Sequence, residues 1–389
     1  MEKWQQREFG ELYKIPSRNG LSKPSRVRGS GYKMINMGEL FSNDRIYNIN
    51  MELVPLTEAE KEKAKIEKND LLFARQSLVA SGAGKCSIVM ETDDLTVFES
   101  HLIRVRLNPQ IADSMFYYYY FKSFNSPIKA IIQHCVQAGI KASDLEKLFV
   151  AVPPLEIQTK ISGILSKIDD KIEENNRINK NLSNLLQAIY QKRFGEVSLG
   201  AKQGILSDIC SYSKEKVAVS ELNVNTYFST ENMLPEKAGS TKATSLPTTP
   251  QTTACRKGDT LISNIRPYFK KIVYCEDMCG CSTDVLCFTP VQSQYAAYLF
   301  STLYTDKFFA FMVAGSKGTK MPRGDKQQIM TYPVVVPAEG ELEEFNAIAF
   351  PVLEQLNSNK AENKRLSALR DALLPKLMSG EIDISAIDL

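Results

Sequence analysis

Cysteines are the first residues in this chain whose type and spacing could form a chemical site, in this case one that binds zinc. Four of the eight, Cys275, Cys279, Cys281 and Cys287, lie close together in the sequence. Structural zinc sites commonly use paired CxxC units, whereas the intervals between these cysteines hold three, one and five residues. The segment also has the composition of strand and turn. The spacing therefore favours reduced structural thiols, with zinc as the alternative.

Two motifs resemble catalytic signatures but are incomplete. SGAGKC at residues 81–86 is similar to the end of a phosphate-binding loop, but Val79 stands where a glycine is needed and Cys86 replaces the hydroxyl that would bind magnesium. VPPLE, which begins at Val152, has the prolines of a DNA-methyltransferase motif but neither the polar residue before them nor the aromatic residue after them. The first motif predicts a tight turn, and the second predicts no catalytic site.

The two histidines do not suggest catalysis either. His101 and His134 stand singly in apolar surroundings, without the spacing of paired metal ligands, so hydrogen-bonded structural roles are favoured. No combination of residues typical of a nuclease or hydrolase is present in the sequence. We therefore predict no catalytic residue, no metal ligand and no cofactor on this chain.

Cationic and amide side chains beside Gly and Ser offer binding chemistry instead. In loops such as GSKGTK at residues 315–320 the backbone can approach phosphate closely, and Lys or Arg can neutralise it. For any one of these residues, a solvated surface charge is an equally good interpretation. The aromatic run at residues 117–120 predicts helix packing rather than base stacking. The predicted nucleic-acid-binding residues are Arg18, Asn19, Lys23, Arg26, Arg28, Lys33, Arg75, Lys141, Lys214, Lys216, Asn264, Arg266, Lys270, Lys271, Lys317, Lys320 and Arg323.

The elements that position these residues come from an internal repeat. The segment that begins at Val152 returns at Val336 without a gap, at an offset of 184 residues (336 − 152 = 184). Its apolar residues recur at steps of four and three, which keeps them on one helical stripe, so each copy predicts a long amphipathic helix. We expect the two helices to pair as an antiparallel coiled coil, although an ordinary bundle is not excluded. The predicted pairing residues are Ile161, Ile164, Ile168, Asn175, Leu182, Leu185, Ile189, Ile348, Val352, Asn359, Leu366, Leu369 and Leu373.

Two prolines complicate the second helix. Pro351 lies inside its possible first turns, so the regular helix is expected to begin near it, and Pro375 is expected to kink or shorten the end. The polar stripe residues Asn175 and Asn359 should favour one register of pairing over others.

The region before each helix follows one plan, which predicts an α+β protein with two mixed α/β domains in tandem. KGDTLISNIR in the second region stands where KNDLLFAR stands in the first, each region contains an aromatic helix candidate, and YPVVVP corresponds to LFVAVP. GYKMINMGELF, KCSIVME and TVFESHLIRVRL predict further strands in the first region, and the Ser-, Thr- and Pro-rich residues 239–254 predict a solvated loop. The predicted segments are domain 1 at 1–151, helix 1 at 152–197, domain 2 at 198–335, helix 2 at 336–380 and a tail at 381–389.

Composition sets limits around this plan. The 389 residues, 43% of them hydrophobic and 24% charged, are typical of a folded protein of two or three domains. The first residues lack the apolar core of a signal peptide, and no apolar run could span a bilayer. We therefore expect a cytoplasmic location without membrane contact, where disulfides are not expected. The net charge of +3 does not by itself indicate a nucleic-acid partner.

Several phrases of the sequence resemble the specificity subunit of a type I restriction-modification system. They are VPPLEIQ from Val152, the pattern IxxxLxxxD from Ile161 to Asp169, the endings LSNLLQAIYQKRFG and LSALRDALLPKLMSG, and NGLSKPS and INMGEL in the first region. The resemblance extends along the chain. The second copy departs from it, because EGELEEF lacks a glutamine equivalent to Gln158, which puts the contacts of that helix start in doubt.

The resemblance implies a subunit without catalytic activity of its own. Its two target recognition domains would each recognise one half of a bipartite double-stranded DNA sequence, and the paired helices would set the gap, giving a pseudo-two-fold particle. The exposed faces of residues 155–194 and 342–378 would dock two methyltransferase (modification) subunits, which bind S-adenosylmethionine. Restriction/translocase subunits would add cleavage that depends on ATP and Mg²⁺, so these cofactors are expected only in the partners.

Other functions remain open from the sequence. One alternative is a specificity subunit of a methylation-only system or of another restriction class. A second is a coiled-coil adaptor that never contacts DNA, and a self-sufficient nuclease is the least favoured. Neither the recognised DNA sequence nor its gap length follows from the residues.

Overall fold

The computed structural model describes residues 4–77, 82–93, 95–134, 138–195 and 202–384. Contacts within the chain divide it into two units. The first unit holds the described residues up to Glu173 together with those from Asn363 onward, and the second unit is Glu174–Glu362. None of the helices that the described residues form is both long and apolar enough to cross a membrane.

The described residues of the first unit form two main sheets and two small ones. The five-stranded sheet has the order Tyr13–Asn19, Leu102–Leu107, Leu71–Ala74, Cys86–Val89 and Arg45–Ile46. The three-stranded sheet has the order Glu52–Val54, Tyr32–Ile35 and Thr96–Phe98. The small sheets pair Gln5–Glu8 with Phe149–Val152 and join Gln133–His134, Ala138–Gly139 and Gln76–Ser77. The α-helices before the long one are Met37–Ser42, Glu58–Ala64, Ser114–Lys122 and Ala142–Glu146.

Burial explains why the centre of this unit is strand and aromatic helix. All four residues of Leu71–Ala74 are buried, as expected of a central strand covered on both faces. Asp113 caps the aromatic helix by accepting a hydrogen bond from Met115 N–H at 2.8 Å. Phe116 and the run Tyr117–Tyr119 are buried in the same core as Phe9, so the prediction of helix packing for this run is confirmed for these residues.

In the second unit, the residues that the structure describes form two four-stranded sheets. One has the order Cys210–Tyr212, Val285–Pro290, Thr260–Ser263 and Ile272–Tyr274, and the other Lys216–Ala218, Gln251–Cys255, Cys279–Cys281 and Tyr227–Phe228. A two-stranded sheet joins Gln203–Ile205 to Pro333–Val335. The shorter α-helices are Ala296–Leu303, Asp306–Ala314 and Lys326–Met330.

The internal repeat is visible in the strand that precedes each long helix. Phe149–Val152 pairs with Gln5–Glu8 in the first unit, and Pro333–Val335 pairs with Gln203–Ile205 in the second. The two strands begin 184 residues apart (333 − 149 = 184), which is the offset of the repeat. The α+β class with two mixed domains, each followed by a long helix, is confirmed.

Two helices of 40 residues, Leu155–Phe194 and Glu339–Met378, follow the two domains. Their side chains join directly: Arg370 donates to Asp169 at 2.8 Å, Asn175 donates to Glu362 at 2.7 Å, and Asn359 donates to Asn179 at 2.9 Å. Residue numbers rise along one helix as they fall along the other, so the pairing is antiparallel. Both asparagines that the sequence singled out lie buried in this contact.

The predicted pairing stripe coincides with the buried seam only in part. Among its thirteen residues, Ile161, Asn175, Val352 and Asn359 are buried and Ile164, Ile168, Leu182, Ile189, Leu366 and Leu373 are half-buried. Leu185, Ile348 and Leu369 lie outside the seam, with exposed fractions of 51%, 38% and 49%. These three residues are exposed because a helix of 3.6 residues per turn drifts from a strict seven-residue repeat, so that a stripe drawn with that repeat leaves the buried face. The buried apolar residues of the two helices that the stripe omitted are Leu165, Leu186, Tyr190, Phe194, Leu342, Phe345, Ala349, Leu353, Leu356, Leu374, Leu377 and Met378.

The expected start of the second helix near Pro351 was wrong, because the helix is continuous from Glu339 to Met378. Pro351 and the residue four positions before it, Ala347, are both exposed. The carbonyl that proline leaves unpaired can therefore bond to water, while Phe345 and Ala349 hold the helix to the core.

Other predicted elements have different bounds from those expected. The run at residues 31–41 is a strand followed by the helix Met37–Ser42, because the Glu39 carboxylate accepts a hydrogen bond from Asn36 N–H at 2.8 Å. The run at 96–107 is two strands rather than one. The last residues of the loop predicted at 239–254 belong to the strand Gln251–Cys255.

The aromatic helix candidates are shorter than predicted. The first ends at Lys122, and the second is broken where Thr305 caps the helix Asp306–Ala314 by accepting from Phe308 N–H at 3.2 Å. Ser81, which begins the predicted tight turn, and residues 385–389 of the predicted tail lie outside the described residues.

Candidate nucleic-acid interface

In the second unit, two loops that are distant in sequence are joined by backbone hydrogen bonds. Loop 264–271 follows the central strand Thr260–Ser263, and loop 315–325 precedes the helix Lys326–Met330. Arg266 N–H donates to the Pro322 carbonyl at 2.8 Å, and Gly324 N–H donates to the Asn264 carbonyl at 3.2 Å. Loops 264–271 and 315–325 are here called the second loop pair. They bring seven of the predicted binding residues together: Asn264, Arg266, Lys270, Lys271, Lys317, Lys320 and Arg323.

The cations of loop 315–325 lie at the surface. Lys317 forms an ion pair with Asp325 at 2.7 Å, although 81% of its side chain is exposed. Arg323 pairs with Asp284 at 3.1 Å and is 58% exposed. Lys320 is exposed, and no ion pair joins it to another residue of the described chain. Exposed ion pairs of this kind are weak, so all three cations can turn to an external anion at small cost.

The predicted residues of loop 264–271 are less accessible. Asn264 is buried, and its side-chain oxygen has no hydrogen-bond partner among the described residues. Burial lowers the pKa of Lys271, whose ammonium donates to the Thr230 carbonyl. Lys270 pairs with Asp306 at 3.1 Å. Asn264 and Lys271 thus have contacts or burial typical of structural residues, whereas Lys270 remains at the surface.

The first unit has an equivalent junction. Gln76–Ser77 pairs with Ala138–Gly139, and Ile140 N–H donates to the Arg75 carbonyl at 2.9 Å. Arg75 donates from its guanidinium to the Ser100 carbonyl at 3.4 Å, and Lys141 next to this junction is exposed. The structure therefore brings together the predicted residues Arg75 and Lys141, as it does Arg266 and Arg323 in the second unit.

The amino-terminal cations of the first unit form a separate group whose charges are mostly paired. Arg18 donates to the Lys63 carbonyl at 2.8 Å, and Lys23 pairs with Glu60 at 2.8 Å. Arg28 pairs with Glu52 at 2.6 Å, and Lys33 pairs with Asp93 at 2.7 Å. The remaining predicted residues are exposed, away from such ion pairs in the described chain: Asn19, Arg26, Lys214 and Lys216.

Residues 1–184 match the family model described as "Type I restriction modification DNA specificity domain". These residues therefore resemble a type I specificity domain. The match covers the first region, its strand before the long helix and most of that helix.

Two curated relatives of this chain are also type I specificity subunits. The chain is 25% identical over 193 residues to the type I restriction enzyme EcoKI specificity subunit of Escherichia coli (strain K12), covering 46% of this chain and 40% of that protein. It is 26% identical over 204 residues to the StySPI specificity subunit of Salmonella potsdam, covering 50% and 43%. The matches span less than half the length of either relative.

A solved structure shows the same fold along the chain. The S subunit of a type I restriction-modification system from M. genitalium superposes with a TM-score of 0.60 at 18% identity, covering 96% of each chain. At this identity the likeness concerns the fold alone.

Within the residues that match this family model, Gln158 has a structural role that its sequence signal did not reveal. It is fully buried, accepts a hydrogen bond from Asp113 N–H at 2.8 Å, and donates to the carbonyls of Pro153 and Ile111 at 2.9 and 3.2 Å. Leu342, at the equivalent position of the second helix (158 + 184 = 342), is also buried. The departure from the family pattern therefore exchanges a polar tie for an apolar contact.

Five cysteines form one buried group, which includes one more than the four that lie close together in the sequence. Cys255 joins Cys275, Cys279, Cys281 and Cys287 in a single cluster, where the Cys275 and Cys279 sulfurs are 3.6 Å apart. Hydrogen bonds from Cys255 and Cys275 lower the pKa of Cys279. Among the described residues, no three His, Cys, Asp or Glu side chains are arranged to hold a metal ion.

The apolar part of the second loop pair was not predicted from the sequence. Tyr268, Phe269 and Met321 are exposed by 46%, 36% and 50%. The available signal was the phrase IRPYFKK at residues 265–271, where two aromatic residues stand between cations in a turn.

His101, predicted to be structural, lies 2.9 Å from Gln76 Oε1 through its Nδ1.

Proposed function

We propose that this chain is the non-catalytic DNA-recognition subunit of a type I restriction-modification complex, in which each unit recognises one half of a bipartite target. The observation that carries the proposal is the repeated loop junction. In both units the segment after a central strand is tied to the segment before the last short helix, at Gln76–Ser77 and Ala138–Gly139 in one and in the second loop pair in the other. The family match of residues 1–184 supports it.

The two junctions present different side chains on a similar backbone. Arg75, Gln76 and His101 lie at the first, and Arg266, Tyr268 and Arg323 lie at the second. Exposed cations would neutralise phosphates without regard to sequence, whereas planar amide, guanidinium and aromatic groups distinguish base edges. Two halves of a target with unrelated sequences are what such a pair of sites would recognise.

Partners would supply the chemistry. Two modification subunits would dock on the exposed faces of residues 155–194 and 342–378, where Leu185, Ile348 and Leu369 offer apolar surface. S-adenosylmethionine would be bound by those subunits, and ATP and Mg²⁺ by restriction subunits. Because contacts from partners on both sides of a duplex add to those of this chain, the isolated chain should bind DNA more weakly than the complex.

Mapping of DNA methylation tests the proposal. The chain is co-expressed with a cognate methyltransferase subunit, and adenine methylation is located across the host genome by single-molecule sequencing. We expect a bipartite motif with a fixed gap. Replacing residues 1–151 with the equivalent region of another specificity subunit should change one half only, and replacing residues 198–335 should change the other half only.

Two results would contradict the proposal. One is a stable complex that produces no new methylation, which favours an adaptor that does not contact DNA. The other is a motif in which both halves change together when one region is exchanged. The matched control is a chain in which Thr244, Ser245 and Thr248, exposed residues outside both junctions, are replaced by Ala; its motif should be unchanged.

A further inference from the structure

The turn at Pro267–Phe269 is held between two residues in the left-handed backbone region. Arg266 has φ 51° and ψ 62°, and Lys270 has φ 51° and ψ 45°. Side chains other than glycine rarely adopt this conformation, and where they do so the surrounding structure must enforce it. Such positions are enriched at binding sites, so the turn is a candidate for function on geometric grounds.

Backbone hydrogen bonds from two other segments enforce this conformation. Arg266 N–H donates to the Pro322 carbonyl at 2.8 Å on one side. On the other side, Glu236 N–H donates to the Phe269 carbonyl at 2.8 Å and Lys237 N–H donates to the Lys270 carbonyl at 3.0 Å. The turn is therefore fixed before any ligand binds, which reduces the entropy that binding would cost.

The fixed turn displays apolar surface. The rings of Tyr268 and Phe269 are 46% and 36% exposed, with centroids 4.8 Å apart and planes at 54°. Met321, which precedes the Pro322 that bonds to Arg266, is 50% exposed. We call Tyr268, Phe269 and Met321 the apolar tip.

Cations surround the apolar tip, which identifies the kind of ligand. The Lys271 ammonium lies 5.9 Å from the Phe269 ring centroid. Lys270, which is half-buried and pairs with Asp306, lies next to Phe269, and the exposed Lys320 lies next to Met321. A ligand that fits must place an apolar group between anionic groups. Duplex DNA does so in its major groove, where the thymine methyl is the apolar group and phosphates line both edges.

We propose that the apolar tip contacts thymine methyl groups in the half of the target that the second unit recognises. This inference rests on the proposed function and names the chemistry of one of its two sites. Insertion of the rings between base pairs fits the structure less well, because each ring is more than half covered and the two pack against each other. Contact along the groove needs only the exposed faces.

Uracil substitution tests the contact without altering the protein. Once the methylation motif is known, each thymine of the second half-site is replaced singly by uracil, which removes only the methyl group. Binding of the complex with its methyltransferase subunits is then measured at fixed salt. At one position or more, affinity should fall about fourfold, the effect expected for one buried methyl group.

Variants connect that loss to the apolar tip. Two variants are compared, Tyr268→Ala/Phe269→Ala and, separately, Met321→Ala. In each, the ratio of the affinity for the thymine duplex to that for the uracil duplex should fall toward one. Phe124→Ala is the matched control, since Phe124 is an aromatic residue of the first unit that is 81% exposed, and it should keep the full difference. Met321→Ala also covers the case in which the double variant does not fold.

The outcomes separate this inference from the proposed function. Equal affinity for thymine and uracil at every position, or a half-site without any thymine, overturns the apolar-tip contact while a bipartite motif stands. A uracil effect that persists in both variants places the methyl contact elsewhere and also overturns it. Brightening of 2-aminopurine in a duplex that is insensitive to uracil would instead indicate ring insertion. Absence of any duplex binding contradicts the proposed function itself.

Discussion

The two ends of the helix pair differ in chemistry at equivalent positions. In the first unit, Asp169 of one helix and Arg370 of the other form an ion pair at 2.8 Å, with Asp169 6% exposed. The repeat offset carries these positions to residues 353 (169 + 184) and 186 (370 − 184). Leu353 and Leu186 occupy them, and both are buried in the core of the second unit. The repeat thus keeps spacing and burial while the interaction changes from ionic to apolar.

This difference teaches what each contact contributes. A buried ion pair repays little of the desolvation of its charges, whereas two leucines gain the full hydrophobic term. Asp169 also accepts a hydrogen bond from the Tyr119 hydroxyl at 2.7 Å, and burial together with that carboxylate raises the pKa of Tyr119. The ionic end is therefore tied to the aromatic helix of its domain as well as to the opposite helix.

The largest predicted effect comes from removing one partner of this ion pair. Arg370→Leu alone leaves the buried Asp169 carboxylate without its cation and should lower the free energy of unfolding of the first unit by about 3–5 kcal/mol. Asp169→Leu should cost less, because Arg370 keeps its ion pair with Asp371 at 2.8 Å. The triple variant Asp169→Leu/Arg370→Leu/Tyr119→Phe, which copies the leucine pair and removes the orphaned hydroxyl, should lie within about 1 kcal/mol of the parent. Urea unfolding, monitored by hydrogen exchange, measures the free energy of unfolding of each unit.

An additive result would break the comparison. If the triple variant loses as much stability as the sum of the single changes, the ionic and apolar ends are not alternative solutions to one packing problem. Leu353→Asp serves as the reciprocal control, because it places an unpaired charge at the apolar end and should destabilise the second unit instead.

A smaller effect is expected where each long helix begins. Gln158→Leu copies Leu342 into the first helix but leaves Asp113 N–H and the Pro153 carbonyl without partners, so the first unit should lose about 3 kcal/mol. Leu342→Gln should cost the second unit a similar amount by burying an amide. Thermal unfolding of both variants, with the conservative change Gln158→Asn as a third, measures the effect. Tolerance of Gln158→Leu would show that the polar tie is dispensable.

Asp70 and Asp259 give a third comparison, since each follows a turn before a central strand. Asp70 accepts two hydrogen bonds from the Arg106 guanidinium at 2.7 and 2.8 Å, whereas one Asp259 oxygen is buried without a partner among the described residues. Asp70→Asn should therefore cost the first unit about 2 kcal/mol. Asp259→Asn, which removes a poorly compensated charge, should change the second unit by less than about 1 kcal/mol.

The pH dependence of Asp259→Asn has a definite sign. Burial raises the pKa of Asp259 in the folded state. The stability that this group contributes is therefore complete below its ordinary pKa of about 4 and is lost as the pH rises through the folded-state pKa. The variant lacks this loss, so its stability relative to the parent should increase from pH 4 to pH 8. Denaturant midpoints across that range measure it, and a parallel pH course for both chains would contradict the assignment.

Much of the fold was predictable because the repeat constrains it. Because the segment from Val152 recurs from Val336, the sequence predicts two long helices and a strand before each of them. The spacing of the apolar residues predicts how long the helices are. Helix continuity through Pro351 was not predictable, since it depends on Ala347 facing solvent and on tertiary contacts of Phe345. Local sequence cannot supply that information.

The candidate site was predictable in composition but not in assembly. Basic loops identified Arg266 and Arg323, yet only folding brings their loops together. Burial of Lys271 and the exposure of Tyr268 and Phe269 depend on the turn that Glu236 helps to fix, and residue type alone suggested the opposite. For the pairing stripe, a seven-residue step predicted Leu185 where the longer helical period buries Leu186.

The smallest predicted effect separates the cations of the two units. Lys320 is exposed without an ion pair in the described chain, whereas Lys23 is paired with Glu60 at 2.8 Å and its side chain is 13% exposed. Lys320→Gln should reduce the slope of log affinity against log salt by about one, which corresponds to about a fourfold smaller loss of affinity between 50 and 200 mM salt.

Lys23→Gln should leave that slope unchanged, because the lysine already neutralises a carboxylate instead of a phosphate. Titration of the complex with duplex DNA at several salt concentrations measures both slopes, and Lys63→Gln adds a further exposed lysine of the first unit as a control. Equal slopes for Lys320→Gln and the parent would remove loop 315–325 from the phosphate contacts. A reduced slope for Lys23→Gln would show that the amino-terminal cations exchange their carboxylate partners for DNA, since only a contact that releases counterions changes the slope.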